Sequence, residues 1–134
     1  GHIDTVARFC SPTSIAYVKG YDITDEHYEK LQAMEQELLV LCTLDGKPYT
    51  LFPLPLPAPC YDDEGSRLPA TYANFLIING AVLVPTYNQP DNDQEALEQV
   101  KKAFPDREII GIDCRVLIWQ HGSLHCSTMQ YPSI

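Results

Sequence analysis

The most restrictive feature of this sequence is an order of predicted elements that occurs twice. In the first half, residues 6–9 and 14–18 predict two strands, because apolar and β-branched side chains flank a proline-containing turn. A helix is predicted over residues 24–41, with Thr24 as its N-cap and apolar residues at helical spacing. Residues 48–54 predict a third strand, which alternate prolines confine to a sheet edge.

The second half of the sequence repeats this order. Residues 72–78 and 81–84 predict a hairpin, because Asn79-Gly80 tolerates the positive φ angles of a tight turn. Asn92 or Asp93 is predicted to cap a second helix. The apolar face of that helix is formed by Ala96, Leu97, Val100 and Phe104.

A predicted strand over residues 108–112 completes the second unit. The two halves together indicate an α/β fold built from repeated ββαβ units. A further strand around residues 126–130 would open a third unit, so we expect about two units plus a strand. Repeats of this kind usually pack around an axis, and two units leave sheet edges uncovered. We therefore expect the chain to be part of a larger domain.

The charge of the chain limits its partners. The formal net charge is −9 and the pI is about 4.6. Nucleic acid and anionic membranes are not expected partners, because both bind clustered Lys and Arg, whereas a small organic cation would be attracted. The longest apolar run, residues 75–84, is interrupted by Asn79 and Gly80 and is shorter than the roughly 20 residues of a membrane helix.

The cysteines and the first residues bear on location. The five cysteines are an odd number and contain no Cys-x-x-Cys pair, which argues against a disulfide framework and a zinc ribbon. The first residues lack the basic and apolar regions of a signal peptide. We therefore expect reduced thiols in a cytoplasmic protein.

Two regions contain residues suited to catalysis. In His2-Ile3-Asp4, strand alternation would place the imidazole and the carboxylate on one face, although a frayed terminus without a role is the alternative. Cys126 follows a glycine-containing turn, which suits a nucleophile, but a free cysteine is more often a small buried hydrophobe. A metal site of His121, His125 and Cys126 is disfavoured because no carboxylate lies nearby in the sequence. No metal and no cofactor is expected.

Three blocks of the sequence resemble one enzyme family. The first block, Gly1-His2-Ile3-Asp4-Thr5-Val6-Ala7-Arg8-Phe9, is similar to the Gly-His-(Ile/Val)-Asp segment of agmatine deiminases and related Porphyromonas-type peptidylarginine deiminases. Residues 68–75, followed by residues 82–85, resemble the middle block of that family. Residues 122–132 resemble its cysteine block, although Gln120-His121 stand where the family usually has a run of glycines. The blocks occur in the family's order.

The resemblance implies an architecture and a domain assignment. The fold would be a five-bladed α/β propeller of ββαβ units, called a pentein. Residues 1–134 would be the C-terminal part of a single deiminase catalytic domain, and the N-terminal part, absent from this chain, would supply further carboxylates. Because those carboxylates help to bind the substrate and orient the histidine, we expect this chain to be inactive alone.

The resemblance also implies roles for individual residues. Cys126 would attack the guanidinium carbon, His2 would act as general acid and then as general base, and Asp4 would bind two guanidinium nitrogens. Gly122 and His125 would lie at the pocket. The implied reaction is hydrolysis of agmatine to N-carbamoylputrescine and ammonia, a step in the synthesis of putrescine and other polyamines.

Other functions stay open at this point. Arginine or peptidyl-arginine is an alternative substrate, because the same chemistry serves any guanidinium group. Arginine carries a carboxylate that an enzyme would pair with a cation, and the arginines available for this are Arg8, Arg67, Arg107 and Arg115. A non-catalytic binding or assembly module is a second alternative. The expected partners are a guanidinium cation and the N-terminal part of the same domain, and a homo-oligomer is left open. For Tyr72 and Asn74, packing within a strand is expected in preference to the alternative, a place in the lining of the site.

Overall fold

A computed structural model describes residues 6–61, 63–68 and 70–113. These residues form a mixed α/β structure with two three-stranded sheets and two helices. The first unit consists of β1 (Ala7–Ser11), β2 (Ser14–Lys19), α1 (Tyr28–Val40) and β3 (Thr50–Pro55). The second unit consists of β4 (Leu76–Ile78), β5 (Ala81–Thr86), α2 (Pro90–Ala103) and β6 (Glu108–Asp113).

Both units have the same topology. In each, the first two strands form an antiparallel hairpin, and the third strand pairs in parallel with the second strand after a helical crossover. The hairpin between β4 and β5 turns at Gly80, whose φ of 79° lies in the left-handed region that glycine adopts without steric cost. The repeated ββαβ unit predicted from the sequence is therefore confirmed. The strand predicted around residues 126–130 lies outside the described residues.

The prolines of β3 are accommodated at the edge of its sheet. The strand order is β1-β2-β3, so β3 has a paired neighbour on one side only. Pro53 pairs with Tyr17 and Pro55 pairs with Lys19 in the parallel register. Because proline has no backbone N–H to donate, an edge strand is where a sheet tolerates it. The edge position predicted for this segment is confirmed within the described sheet.

One hydrophobic core joins the two units. Helix α2 packs against β5 and β6 of its own unit and also against β2 and β3 of the first unit. Its Ala96 and Val100 are fully buried and belong to the same apolar cluster as Val18 and Leu54. The predicted apolar face of α2 is therefore confirmed, and burial of that face holds the two sheets together.

Helix α1 begins later than the sequence predicted. Thr24 does not cap it, because the first helical residue is Tyr28. Thr24 lies in a turn before the helix, where it donates its backbone N–H and its hydroxyl to Asp22 Oδ1, at 2.9 and 2.6 Å. His27 is the residue that precedes the first helical turn. The predicted end at Leu41 was one residue too long, since the helix ends at Val40 and Leu41 is exposed.

A buried charge on α1 was not predicted from its apolar spacing. Glu35 is buried and accepts a 2.5 Å hydrogen bond from the Tyr17 hydroxyl on β2. Lys19 Nζ lies 3.3 Å from the same carboxylate. Burial, together with this hydrogen bond and the charge of Glu35, raises the pKa of Tyr17, so the phenol stays a donor. A polar contact therefore joins α1 to the sheet beside the apolar contacts of Leu31 and Leu38.

Helix α2 and strand β4 also differ from prediction. The helix begins at Pro90 with Gln89 before it, so neither Asn92 nor Asp93 is its N-cap. Strand β4 covers residues 76–78 only, and residues 72–75 form a turn and an irregular segment before it. Neither helix in the described ranges has the length and apolar character that crossing a bilayer requires.

Candidate functional site

The residues predicted to perform the chemistry lie outside the described part of the chain. These residues are His2, Asp4, Gly122, His125 and Cys126. The structure does describe the end of the first block and almost all of the middle block, and it describes β6, which precedes the cysteine block. The segments that adjoin the predicted site residues in the sequence can therefore be described.

The first block and the middle block are in direct contact. Strand β1 pairs with β2, and the pairing extends to Val6, whose carbonyl oxygen accepts a 2.8 Å hydrogen bond from Val18 N–H. Arg8 Nη1 donates to the carbonyl oxygens of Ala73, at 3.2 Å, and Phe75, at 2.7 Å. Its guanidinium carbon also lies 4.6 Å from the centroid of the Phe75 ring, in cation–π geometry. One side chain thus links two segments that are more than sixty residues apart.

The middle block lies along α2 and is held near both ends of that helix. The Tyr72 hydroxyl donates a 2.5 Å hydrogen bond to Asp93 Oδ1 in the first turn. Phe75 packs edge-to-face on Phe104, at the other end, with 5.8 Å between ring centroids. Tyr72 and Phe75 are fully buried. Because residues 72–75 are not a strand, the prediction that Tyr72 and Asn74 pack within one is wrong.

Asp93 connects the middle block to the start of α2. Besides the Tyr72 hydroxyl, its carboxylate accepts Tyr87 N–H at 3.1 Å and Gln89 N–H at 2.9 Å. Burial raises the pKa of Tyr72, and its hydrogen bond to Asp93 raises it further, so the phenol remains a proton donor to the carboxylate. Asp93 therefore holds the chain that enters the helix.

A second tyrosine, Tyr87, holds the part of the middle block that contains Tyr72. The Tyr87 hydroxyl donates to Thr71 O at 3.0 Å and accepts from Thr71 N–H at 3.2 Å. The Tyr72 and Tyr87 rings meet edge-to-face, with their centroids 5.4 Å apart. No local sequence pattern predicts this network beyond the presence of the middle block itself, because its partners come from separate elements.

A polar cavity of about 420 Å³ lies beside the loop that leads into the middle block. Arg67 Nη1 and Nη2 donate to Asp25 Oδ1 and Oδ2, at 2.8 and 3.0 Å, and Nη1 also reaches Glu26 Oε1 at 3.2 Å. The Arg67 and Asp25 side chains are only 8% and 7% exposed, so this fork-shaped ion pair is shielded from water. The cavity lining comprises Asp22, Thr24, Asp25, Glu26, Pro59, Tyr61, Gly65, Ser66 and Arg67.

The other titratable groups of the described framework are poorly suited to nucleophilic catalysis. Burial raises the pKa of the Cys10 thiol and of the Cys60 thiol, which lowers the fraction of reactive thiolate at neutral pH. Burial, followed by the charge of Arg67, lowers the pKa of His27, so its imidazole is neutral at pH 7. Among the described residues, no group of three or more His, Cys, Asp or Glu side chains could hold a metal ion.

The Tyr72–Asp93 hydrogen bond is expected to stabilise the fold measurably. Replacing Tyr72 by Phe leaves the partly buried Asp93 carboxylate without its phenolic donor, and a lost hydrogen bond to a charged group costs about 1.5–3 kcal/mol of the free energy of unfolding. Chemical unfolding measures this loss. Tyr21→Phe is the control, because Tyr21 is 63% exposed; an equal loss in both variants would contradict the account.

The Arg67–Asp25 pair predicts a pH-dependent contribution to stability. The hydrogen bond from Arg67 lowers the pKa of Asp25, so the pair stabilises the fold above the unfolded pKa of about 3.9 and loses this effect as pH falls through the lowered value. Asp25→Asn should therefore be less stable than the parent by about 2 kcal/mol at pH 7.

The difference between parent and Asp25→Asn should shrink as the pH is lowered below about 4, when urea unfolding is repeated across that range. Asp45→Asn is the matched control, because Asp45 is exposed. A difference between parent and Asp25→Asn that stays constant from pH 7 to acid would show that the ionised pair is not its source.

Known proteins resemble this chain over almost its whole length. Agmatine deiminase from Medicago truncatula is 30% identical over 152 residues, a match that covers 100% of this chain and 41% of that protein. A solved structure from Porphyromonas gingivalis, provisionally named an arginine deiminase, is 62% identical with a TM-score of 0.91, and the match covers 98% of this chain and 38% of that one.

A second solved structure is a cysteine-to-serine variant of C. jejuni agmatine deiminase with substrate bound. It is 45% identical with a TM-score of 0.81, and the match covers 94% of this chain and 35% of that one. The chain thus spans about two fifths of the length of the curated relatives it matches. The family model for Porphyromonas-type peptidyl-arginine deiminase matches residues 1–132. This chain therefore belongs to the Porphyromonas-type peptidyl-arginine deiminase family.

Proposed function

We propose that the protein containing this chain is a deiminase that hydrolyses the guanidinium group of agmatine. The observation that carries this proposal is the family match over residues 1–132, which includes all three motif blocks. Because the chain spans 41% of the Medicago agmatine deiminase, the activity is proposed for the protein expressed from its complete gene. We propose that residues 1–134 contribute the C-terminal part of one catalytic domain and that their two units are blades of a pentein propeller.

The proposed reaction begins with Cys126. Its thiolate adds to the guanidinium carbon and forms a tetrahedral adduct. Asp4 accepts hydrogen bonds from two guanidinium nitrogens and so holds the carbon in front of the sulfur. Protonation of a third nitrogen by His2 then allows the carbon–nitrogen bond to break, ammonia leaves, and an S-alkylthiouronium remains on Cys126.

The second half of the reaction restores the enzyme. His2, now neutral, takes a proton from a water molecule, whose oxygen adds to the thiouronium carbon. Collapse of this adduct forms the carbonyl, breaks the carbon–sulfur bond, and releases N-carbamoylputrescine, the Cys126 thiolate and the hydroxyl proton, which passes to solvent. The C. jejuni agmatine deiminase structure supports this role for a cysteine, because substrate is bound in a variant whose cysteine is serine.

The described arginines favour agmatine over arginine as the substrate. An arginine deiminase needs a cation to pair with the substrate carboxylate, which agmatine lacks. Arg8 donates to two backbone carbonyls, Arg67 pairs with Asp25 and Glu26, and Arg107 donates to Ile78 O at 2.6 Å. Each arginine within the described ranges is thus engaged with another protein group. Arg115 lies outside those ranges.

Arginine or peptidyl-arginine is the second candidate substrate. The 62% identity to the Porphyromonas gingivalis protein that is provisionally named an arginine deiminase favours it. The catalytic steps would be unchanged, since they involve only the guanidinium group. A non-catalytic assembly role is the weaker alternative, because His2, Asp4 and Cys126 are all present in the sequence.

Ammonia release tests the proposed function. The protein expressed from its complete gene should release ammonia from agmatine faster than from arginine or an arginine-containing peptide. Cys126→Ser should lose about a thousandfold or more of that activity, because a hydroxyl without an equivalent base is a poor nucleophile.

Cys42→Ser is the matched control and should keep the parent activity, because Cys42 is exposed and its thiol donates to the carbonyl oxygen of Val40, at 3.9 Å, which a serine hydroxyl can also do. Faster release from arginine than from agmatine would favour the second candidate substrate. Release from none of the substrates, or undiminished release by Cys126→Ser, would contradict the proposed chemistry.

A further inference from the structure

We propose that Arg8 is a positioning residue for the deiminase reaction, an inference that rests on the proposed function. Arg8 is four residues after Asp4 and six residues after His2 in the sequence. Its side chain connects the strand that follows these residues to the buried middle block. Arg8 would thus act through the backbone that carries the proposed acid/base and the proposed guanidinium ligand.

The acceptors of Arg8 are fixed by the rest of the protein. Ala73 and Phe75, whose carbonyl oxygens accept its hydrogen bonds, are fully buried. The segment between Thr71 and Phe75 is held by Tyr87 at one end and by Phe104 at the other. The two carbonyl oxygens thus belong to a buried segment with its own contacts to Tyr87 and Phe104, and Arg8 joins β1 to that segment.

Strand β1 needs such a contact because it has one paired neighbour in its described sheet. The strand order β1-β2-β3 leaves the far side of β1 without a strand partner among the described residues. Hydrogen bonds to β2, which continue to Val6, fix the register of β1. The contact of Arg8 with the middle block adds a restraint perpendicular to the sheet, since side chains project from its faces.

A small displacement at this position would matter for catalysis. Catalytic groups act when they lie within a narrow range of distances from the reacting atoms, and an error of about 1 Å can cost about a hundredfold in rate. If Arg8 sets the position of the segment carrying His2, its loss should reduce kcat in enzyme that is still folded. A residue that only stabilises the fold would lower Tm and leave the kcat of the folded enzyme unchanged.

The test compares three variants of the protein expressed from its complete gene. Arg8→Met removes the donors, Arg8→Lys keeps a cation that can donate to a carbonyl, and Arg107→Met is the matched control. Arg107 also donates to a backbone carbonyl, that of Ile78, but it does so within the second unit. kcat and KM for agmatine, and for arginine, are measured well below the Tm of every variant, with the folded fraction checked by circular dichroism.

The proposal predicts a particular order of activities. Arg8→Met should lower kcat about tenfold or more, and its KM should change less than its kcat. The kcat of Arg8→Lys should fall between those of the parent and Arg8→Met. The kcat of Arg107→Met should equal that of the parent. If Arg8→Met does not fold, Arg8→Lys decides: a loss of about threefold or more in kcat supports the proposal, and a smaller loss overturns it.

The outcomes also separate this inference from the proposed function. The role of Arg8 alone is overturned if the parent is active and the folded Arg8→Met variant keeps the kcat of the parent. It is also overturned if Arg107→Met loses as much kcat as Arg8→Met does. A parent that turns over neither agmatine nor arginine overturns the proposed function and this inference with it.

Discussion

Burial of one face of helix α2 is the constraint on which the described structure depends. The residues of this face, among them Ala96 and Val100, pack into a core to which both ββαβ units contribute. The apolar side chains exclude water from this region, so the polar groups at its margin must find partners in the protein. Asp93 does so by accepting Tyr72 and two backbone N–H groups at the start of the helix. The core thereby fixes the middle block as well as the sheets.

The same constraint connects distant parts of the sequence. The middle block is anchored on α2, and Arg8 then joins β1 to the middle block. A segment more than sixty residues further along the chain thus contacts the strand that follows His2 and Asp4. The proposed preference for agmatine over arginine is supported by the engagement of the described arginines with protein groups and by the net charge of −9.

Hydrophobic periodicity predicted most of the helices and strands. It did not predict the hydrogen bonds that side chains of different elements make with one another. Both hairpins, both helices and both crossover strands were predicted, because each has a local pattern or turn signal. Thr24 was wrongly predicted as a cap because the residues after it form a further turn before the helix begins at Tyr28. Asp93 was wrongly predicted as a cap because it lies inside the helix, where its carboxylate accepts from Tyr72 and from the preceding loop. The burial of Glu35 on α1 was not predicted either, because the Tyr17 hydroxyl that donates to its carboxylate comes from another element, β2. The roles of His2, Asp4 and Cys126 stay predictions from family resemblance, since these residues lie outside the described part of the chain.

The central claim is that deimination proceeds through a covalent intermediate on Cys126. The most direct measurement is mass spectrometry of the protein expressed from its complete gene, quenched with acid during turnover of agmatine and digested into peptides. The account predicts that the peptide containing Cys126 gains the mass of agmatine minus ammonia, and that the gain disappears once substrate is exhausted. Turnover with the adduct on another cysteine, or with the Cys126 peptide unchanged at every quench time, would contradict it.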